Sequence, residues 1–186
     1  RTSYLMDIRQ CGPVKARERF ENYAAIPLQY EFPAWFDGTL EMPDRSGGSK
    51  PLPKAAIIRE KGSQCDREMA WMLYMAGFEV RDVHTTDLIS GRETLDDIRL
   101  IVFVGGFSNA DTLGSAKGWA GAFLYNPKAK ETLDRYYARK DTLSLGVCNG
   151  CQLMAEMGLI TPAAREKSPK IKPNESGKFE CNFVNV

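Results

Sequence analysis

Five consecutive residues carry the strongest chemical signal in the chain: Gly146-Val147-Cys148-Asn149-Gly150. The pattern is G-x-C-x-G. It falls between an apolar run at 143–147 and a segment with helical spacing at 149–157. A thiol in that context reads as the cysteine form of a nucleophile elbow, where the reactive side chain sits on a sharp, strained strand-to-helix turn. The geometry asks for the glycines, because side chains two before and two after the nucleophile would collide. The turn lifts the sulfur clear of the sheet, and the N–H groups opening the helix favour negative charge beside it. Such a group attacks a carbonyl or amide carbon and forms a covalent intermediate. Its oxyanion needs two donors. The N–H of Asn149 is one, and the Gly105-Gly106 turn is the expected source of the second, since glycine lets the backbone come close to a substrate.

Other readings of the same residues stand beside this one. Cys148 as a buried core cysteine is the bland alternative. Cys148-Asn149-Gly150-Cys151 is also a C-x-x-C at the start of a helix, which suits redox chemistry. A zinc site lacks ligands, because there is no second C-x-x-C and His84 is the only histidine. Cys151, Cys65, Cys11 and Cys181 read as packing residues. Gln152, one helical turn after Cys148, either fixes the substrate or is solvated. His84 follows a strand and reads as a surface or interface histidine rather than a base. Lys117 and Trp119 follow the glycine turn and are expected to line the site, as is the polar loop Glu60 to Ser63. Gly114-Ser115-Ala116-Lys117 lacks the full phosphate-loop pattern, so nucleotide binding there is discounted.

These groups need elements to hold them. From Lys54 the chain alternates strand and helix. Strands are expected at Ala55–Ile58, Phe78–Val83, Leu100–Val104 and Leu143–Val147. A helix capped by Ser63, with Asp66 as a shortened capping box, runs to Gly77. Further helices are expected near 115–123, 128–138 and 149–157. Unbroken apolar strands between amphipathic helices predict an α/β fold, with a mostly parallel sheet and helices on both faces. Ligands in such folds sit beyond the carboxyl ends of the strands. Residues 1–53 read as an aromatic- and proline-rich arm lying against a larger body, with a short helix near Lys15 to Tyr23. The stretch 161–178 is polar, and 178–186 alternates like a late strand.

The 186 residues suit one domain, or one domain with an arm. Lys plus Arg is 25 against 24 for Asp plus Glu, so the net charge of +1 selects neither nucleic acid nor an acidic membrane as a partner. No apolar run approaches roughly 18 residues. Five cysteines, an odd count, argue against a disulfide scaffold and for a reducing, cytoplasmic setting. The chain starts at Arg1 rather than Met, which reads as a piece of something longer.

The segments Gly105-Gly106-Phe107-Ser108-Asn109-Ala110-Asp111, Gly114 to Ala120 and Leu145 to Gln152 together resemble the glutaminase domain of large, single-chain phosphoribosylformylglycinamidine synthases. Ile57 to Ser63 and Asp66 to Met69 fit the same family, and Thr2-Ser3-Tyr4 resembles the stretch joining the synthetase body to that domain. The resemblance implies a class I glutamine amidotransferase (flavodoxin-like) fold over 54–186. It implies Cys148 as nucleophile, Gly106 and Asn149 at the oxyanion positions, and Gln152, Gly105 and Phe107 around the glutamine. It implies a Cys-His-Glu triad whose other members lie in a downstream His-Gly-Glu segment. The 186 residues hold no such segment, so the domain is expected to be truncated at its C-terminus and inactive alone. L-glutamine and the synthetase body of the same parent chain are the implied partners. The implied cofactors are none here, with ATP and Mg²⁺ in the synthetase part. A cysteine hydrolase of another substrate class and a non-catalytic scaffold are the rival functions.

Overall fold

The computed structural model describes residues 12–18, 21, 31–39, 51–161, 169–175 and 177. The chain divides into two units, Leu40–Pro173 and Arg1–Thr39 with Asn174–Val186. In the second of these, residues 12–18 are helical, overlapping the helix expected near Lys15 to Tyr23 but starting three residues earlier. Phe36 stacks on Phe32 and meets Trp35 edge to face. The late strand expected at 178–186 lies outside the described residues, as do Cys11 and Cys181.

The unit Leu40–Pro173 is built on four parallel strands. Strand β1 (Lys54–Arg59) places Ala-Ala-Ile-Ile between charged ends, and those four residues are buried. Its side chains alternate between the two faces of the sheet. Strand β3 (Glu79–His84) pairs with one edge of β1, from Lys54 opposite Glu79 to Arg59 opposite His84. Strand β4 (Leu100–Phe103) pairs with the other edge, and β6 (Leu143–Gly146) pairs with β4. The order is β3-β1-β4-β6. Counted within this sheet, that is 2-1-3-4, the flavodoxin-like doubly wound order. The chain reverses direction across the sheet between β1 and β4, so a crevice opens beyond their carboxyl ends.

Helices cover both faces. Helix α1 (Asp66–Met75) lays Leu73, Met69 and Ala70 over Ala55, Ile57, Val102 and Val104. The opposite face, with Ala56, Ile58, Ile101 and Phe103, is covered by α2 (Thr85–Ser90), α3 (Lys117–Leu124), α4 (Pro127–Ala138) and α5 (Asn149–Glu156). Trp119, Phe123, Leu133, Tyr136 and Leu153 fill that larger core.

Three features depart from the sequence-level expectation. Ser63 does not cap α1. It lies in a two-residue strand, β2 (Ser63–Gln64), paired antiparallel with β5 (Gly105–Gly106). Its hydroxyl donates to the Glu60 carbonyl at 2.8 Å and accepts the Glu60 N–H at 3.2 Å. Cys65 stands at the N-cap instead, in the left-handed region at φ 64°. Strand pairing and the local turn have claimed the hydroxyl that would have capped the helix. The second departure is α2, too short for a periodic signal. His84 caps it: Nδ1 accepts the Thr86 N–H at 3.2 Å, and the Asp87 carboxylate accepts the His84 N–H at 3.0 Å. Third, Cys65 and Cys151 are exposed rather than packed.

Candidate active site

Strand β6 runs into the corner that carries Cys148. The Val147 N–H still donates to the Phe103 carbonyl at 3.0 Å, so the strand is held to β4 until one residue before the turn. Cys148 then adopts φ 51° and ψ −108°, a region that non-glycine residues enter only under strain. Winding starts at once. The Gly150 N–H donates to the Val147 carbonyl at 2.8 Å and the Gln152 N–H to the Cys148 carbonyl at 3.1 Å. The thiol is free and exposed.

The flanking glycines are steric requirements. A Cβ on Gly146 would come within 2.7 Å of both the Gly150 oxygen and the Met154 sulfur. A Cβ on Gly150 would collide with the carbonyl and Cβ of Phe103. The two close approaches let α5 leave the sheet so sharply that Cys148 stays outside it.

The glycine turn after β4 lies beside this corner. A Cβ on Gly105 would sit 3.3 Å from the Cys148 Cβ and 3.4 Å from the Val147 oxygen. Gly106 has φ 111°, and a Cβ there would meet the Gln64 nitrogen at 2.5 Å. Pairing with β2 therefore needs glycine at this position. The loop after β1 braces the turn: the Phe107 N–H donates to the Gly62 carbonyl at 2.9 Å and the Asn109 N–H to the Lys61 carbonyl at 2.8 Å. The Phe107 side chain is exposed.

The side chain of Asn149 is a tie that the sequence reading missed. It is buried, with 2% of its surface exposed. Its Oδ1 accepts the N–H of Ser108 at 3.1 Å, and its Nδ2 donates to Oε1 of Gln152 at 2.9 Å. One amide thus joins the turn after the glycines (a 3₁₀ segment, Ser108–Asp111) to the first turn of α5. The signal in the sequence was the amide residue itself at the first helical position, where an apolar residue would pack as well. Gln152 is oriented by this bond rather than left to solvent.

Other expected lining residues fare differently. Lys117 borders a cavity of about 190 Å³ together with Ser108, Asp111 and Gly118. Trp119 does not line the site. It is fully buried, and its indole N–H donates to Thr85 Oγ1 at 2.8 Å. His84 stands at the end of β3, three strands from β6. At about 4.8 Å per strand that is about 14 Å, too far to take a proton from Cys148, and its ring is engaged in capping α2. Among the described residues, no group of three or more His, Cys, Asp or Glu side chains comes together as a metal site. No helix there is long and apolar enough to cross a membrane.

Residues 52–186 match the family model described as the CobB/CobQ-like glutamine amidotransferase domain. The chain belongs to this amidotransferase family. Among curated proteins it is 44% identical over 200 aligned residues to a phosphoribosylformylglycinamidine synthase of Homo sapiens, covering all of this chain and 15% of that protein. It is 50% identical over 139 residues to a probable phosphoribosylformylglycinamidine synthase, chloroplastic/mitochondrial, of Arabidopsis thaliana, covering 72% of this chain and 10% of that one. The chain thus spans between 10% and 15% of the length of these two relatives. Among solved structures it is similar to PurLQS from Thermotoga maritima, with a TM-score of 0.56 and 31% identity, covering 72% of this chain and 54% of that one.

Proposed function

We propose that this chain is the glutaminase part of a phosphoribosylformylglycinamidine synthase, a ligase of purine biosynthesis that uses glutamine as its nitrogen donor. The observation that carries the reading is an exposed, strained Cys148 at a strand-to-helix corner with the Gly105-Gly106 turn against it.

In this reading the Cys148 sulfur attacks the side-chain amide carbon of glutamine. The carbon becomes tetrahedral and its oxygen takes negative charge. The backbone N–H groups of Gly106 and Asn149 stabilise that oxygen, the second because a helix's first N–H groups have no partner within the helix. The C–N bond breaks, the nitrogen takes a proton and leaves as ammonia, and a glutamyl thioester remains. Water attacks the thioester and releases glutamate, returning the thiol. Gln152, oriented by Asn149, and the backbone at Gly105 and Phe107 hold the glutamine. The base is not His84, which is about 14 Å distant across the sheet. It belongs to sequence outside these residues, in the His-Gly-Glu segment that the family resemblance implies.

The ammonia passes to a synthetase body in the same parent protein, where it replaces the amide oxygen of formylglycinamide ribonucleotide. When bound to that synthetase body, ATP and Mg²⁺ would supply the activation of this oxygen, and no residue of this chain is assigned to them. Residues 1–53 serve as the arm to that body and 54–186 as the glutaminase domain. The exposed Phe32 and Trp35 support an arm that packs against a partner surface. The three free cysteines among the described residues support a reducing, cytoplasmic setting.

The test uses the parent protein. Glutamate release should disappear in Cys148→Ala, while ammonia supplied directly should still be converted. A glutamine-mimicking electrophile should label Cys148. Undiminished glutamate release in the variant would overturn the assignment. Labelling by unrelated acyl electrophiles alone would point to a hydrolase of another substrate class.

A further inference from the structure

Cys148 is not the only thiol at its corner. Cys151 lies three residues on, in the first turn of α5, and both are free and exposed. The sequence reading packs Cys151 into the core, and nothing in a glutaminase mechanism uses it. The helical bond from the Gln152 N–H to the Cys148 carbonyl, 3.1 Å, shows that the helix already winds from Cys148. Positions three apart on such a turn have Cα atoms about 5 Å apart, inside the range that a disulfide spans.

We propose that Cys148 is a site of reversible oxidation by peroxides and that Cys151 is its resolving thiol. In the first step the Cys148 thiolate attacks one oxygen of hydrogen peroxide. An S–O bond forms, the O–O bond breaks and hydroxide leaves, so that sulfur is oxidised to the sulfenic acid and peroxide is reduced. In the second step the Cys151 thiol attacks the Cys148 sulfur. An S–S bond forms, and the sulfenic hydroxyl takes the thiol proton and leaves as water. The disulfide blocks attack on glutamine. It also stops oxidation before the sulfinic stage, from which reducing agents do not rescue a thiol. A small dithiol restores both cysteines. An exposed nucleophile on an uncapped helix start is the kind of thiol that needs this protection.

The experiment reads mass, so it stands whether or not the chain hydrolyses glutamine. The protein is exposed to hydrogen peroxide in small excess, remaining thiols are alkylated with iodoacetamide, and trypsin releases peptide 141–165. That peptide holds Cys148 and Cys151 and no other cysteine. We expect the wild-type peptide to escape alkylation at both cysteines and to lose two hydrogens, both thiols returning after dithiothreitol. In Cys151→Ser the same peptide should gain oxygen at Cys148, passing to a form that dithiothreitol does not reverse. The proposal falls if the wild-type peptide carries oxygen at Cys148 beside an alkylated Cys151. It falls equally if Cys148 bridges to Cys65, or if both thiols survive a peroxide level that oxidises Cys65.

Discussion

At Cys148 the backbone holds φ 51° and ψ −108° while the side chain stays exposed, so its packing cannot repay the strain. The neighbours over-determine the corner: β6 is tied to β4 up to Val147, and α5 winds from Cys148 onward. A residue without a Cβ would relax into the same turn. Cys148→Gly is expected to raise stability by about 1 kcal/mol, most of the cost of one such residue less the extra entropy of glycine. Cys148→Ala keeps the Cβ and should gain nothing. Urea unfolding of the three proteins measures this. Equal midpoints for the glycine and alanine variants would mean that the turn is not strained. The gain would come with loss of the nucleophile, which is how strain at a working residue persists.

Between elements, two buried polar links hold the sheet to its helices. Thr85 Oγ1 donates to the Arg59 carbonyl at 3.0 Å and accepts the Trp119 indole N–H at 2.8 Å. It joins the end of β1, the start of α2 and α3 in the larger core. Thr85→Val keeps the shape and leaves the indole N–H buried without a partner, at an expected cost of about 2 kcal/mol. In a Trp119→Phe background the same change should cost about 1 kcal/mol less, and unfolding of the four proteins of that cycle shows whether it does. The second link is Tyr136 on α4, whose hydroxyl donates to the Leu143 carbonyl at 2.6 Å and lies 3.1 Å from the Arg99 carbonyl. Burial, above all, pushes its phenol well above the ordinary 10.0. The unfolded chain therefore gives up this proton at a pH where the folded chain keeps it. Stability from this group is fully present below about pH 10 and declines as pH rises above that. In Tyr136→Phe that part of the alkaline decline should vanish, as pH-dependent thermal unfolding would reveal. A wild-type slope kept unchanged in the variant would assign the decline to other groups.

For the whole molecule, the sheet order decides what the 186 residues can do by themselves. All four strands are parallel, so β3 and β6 end at the same edge of the sheet with β1 and β4 between them. That places the one histidine of the chain about 14 Å from the strand that carries the nucleophile. The isolated chain is expected to show little or no glutamine turnover while its Cys148 still reacts with a glutamine-mimicking electrophile. A glutamate-release assay beside a labelling assay separates the two. Turnover that disappears in His84→Ala would overturn the argument from sheet order.

The elements of the parallel sheet and the glycines around Cys148 were legible in the sequence because each depends on local chemistry. Apolar runs bounded by charge make buried strands, helical spacing makes covering helices, and a sharp corner tolerates only hydrogen at its flanks. The two-residue pairing of Ser63–Gln64 with Gly105–Gly106, the capping of α2 by His84 and the exposure of Cys151 had no comparable local mark. They depend on what distant segments offer once the sheet is assembled. The same holds for Asn149, whose amide became a bridge only when the turn at Ser108 arrived within hydrogen-bonding distance. Residue type and spacing determined which chemistry was available. The order of strands decided which residues met, because lateral neighbours in a parallel sheet come from segments far apart in the chain.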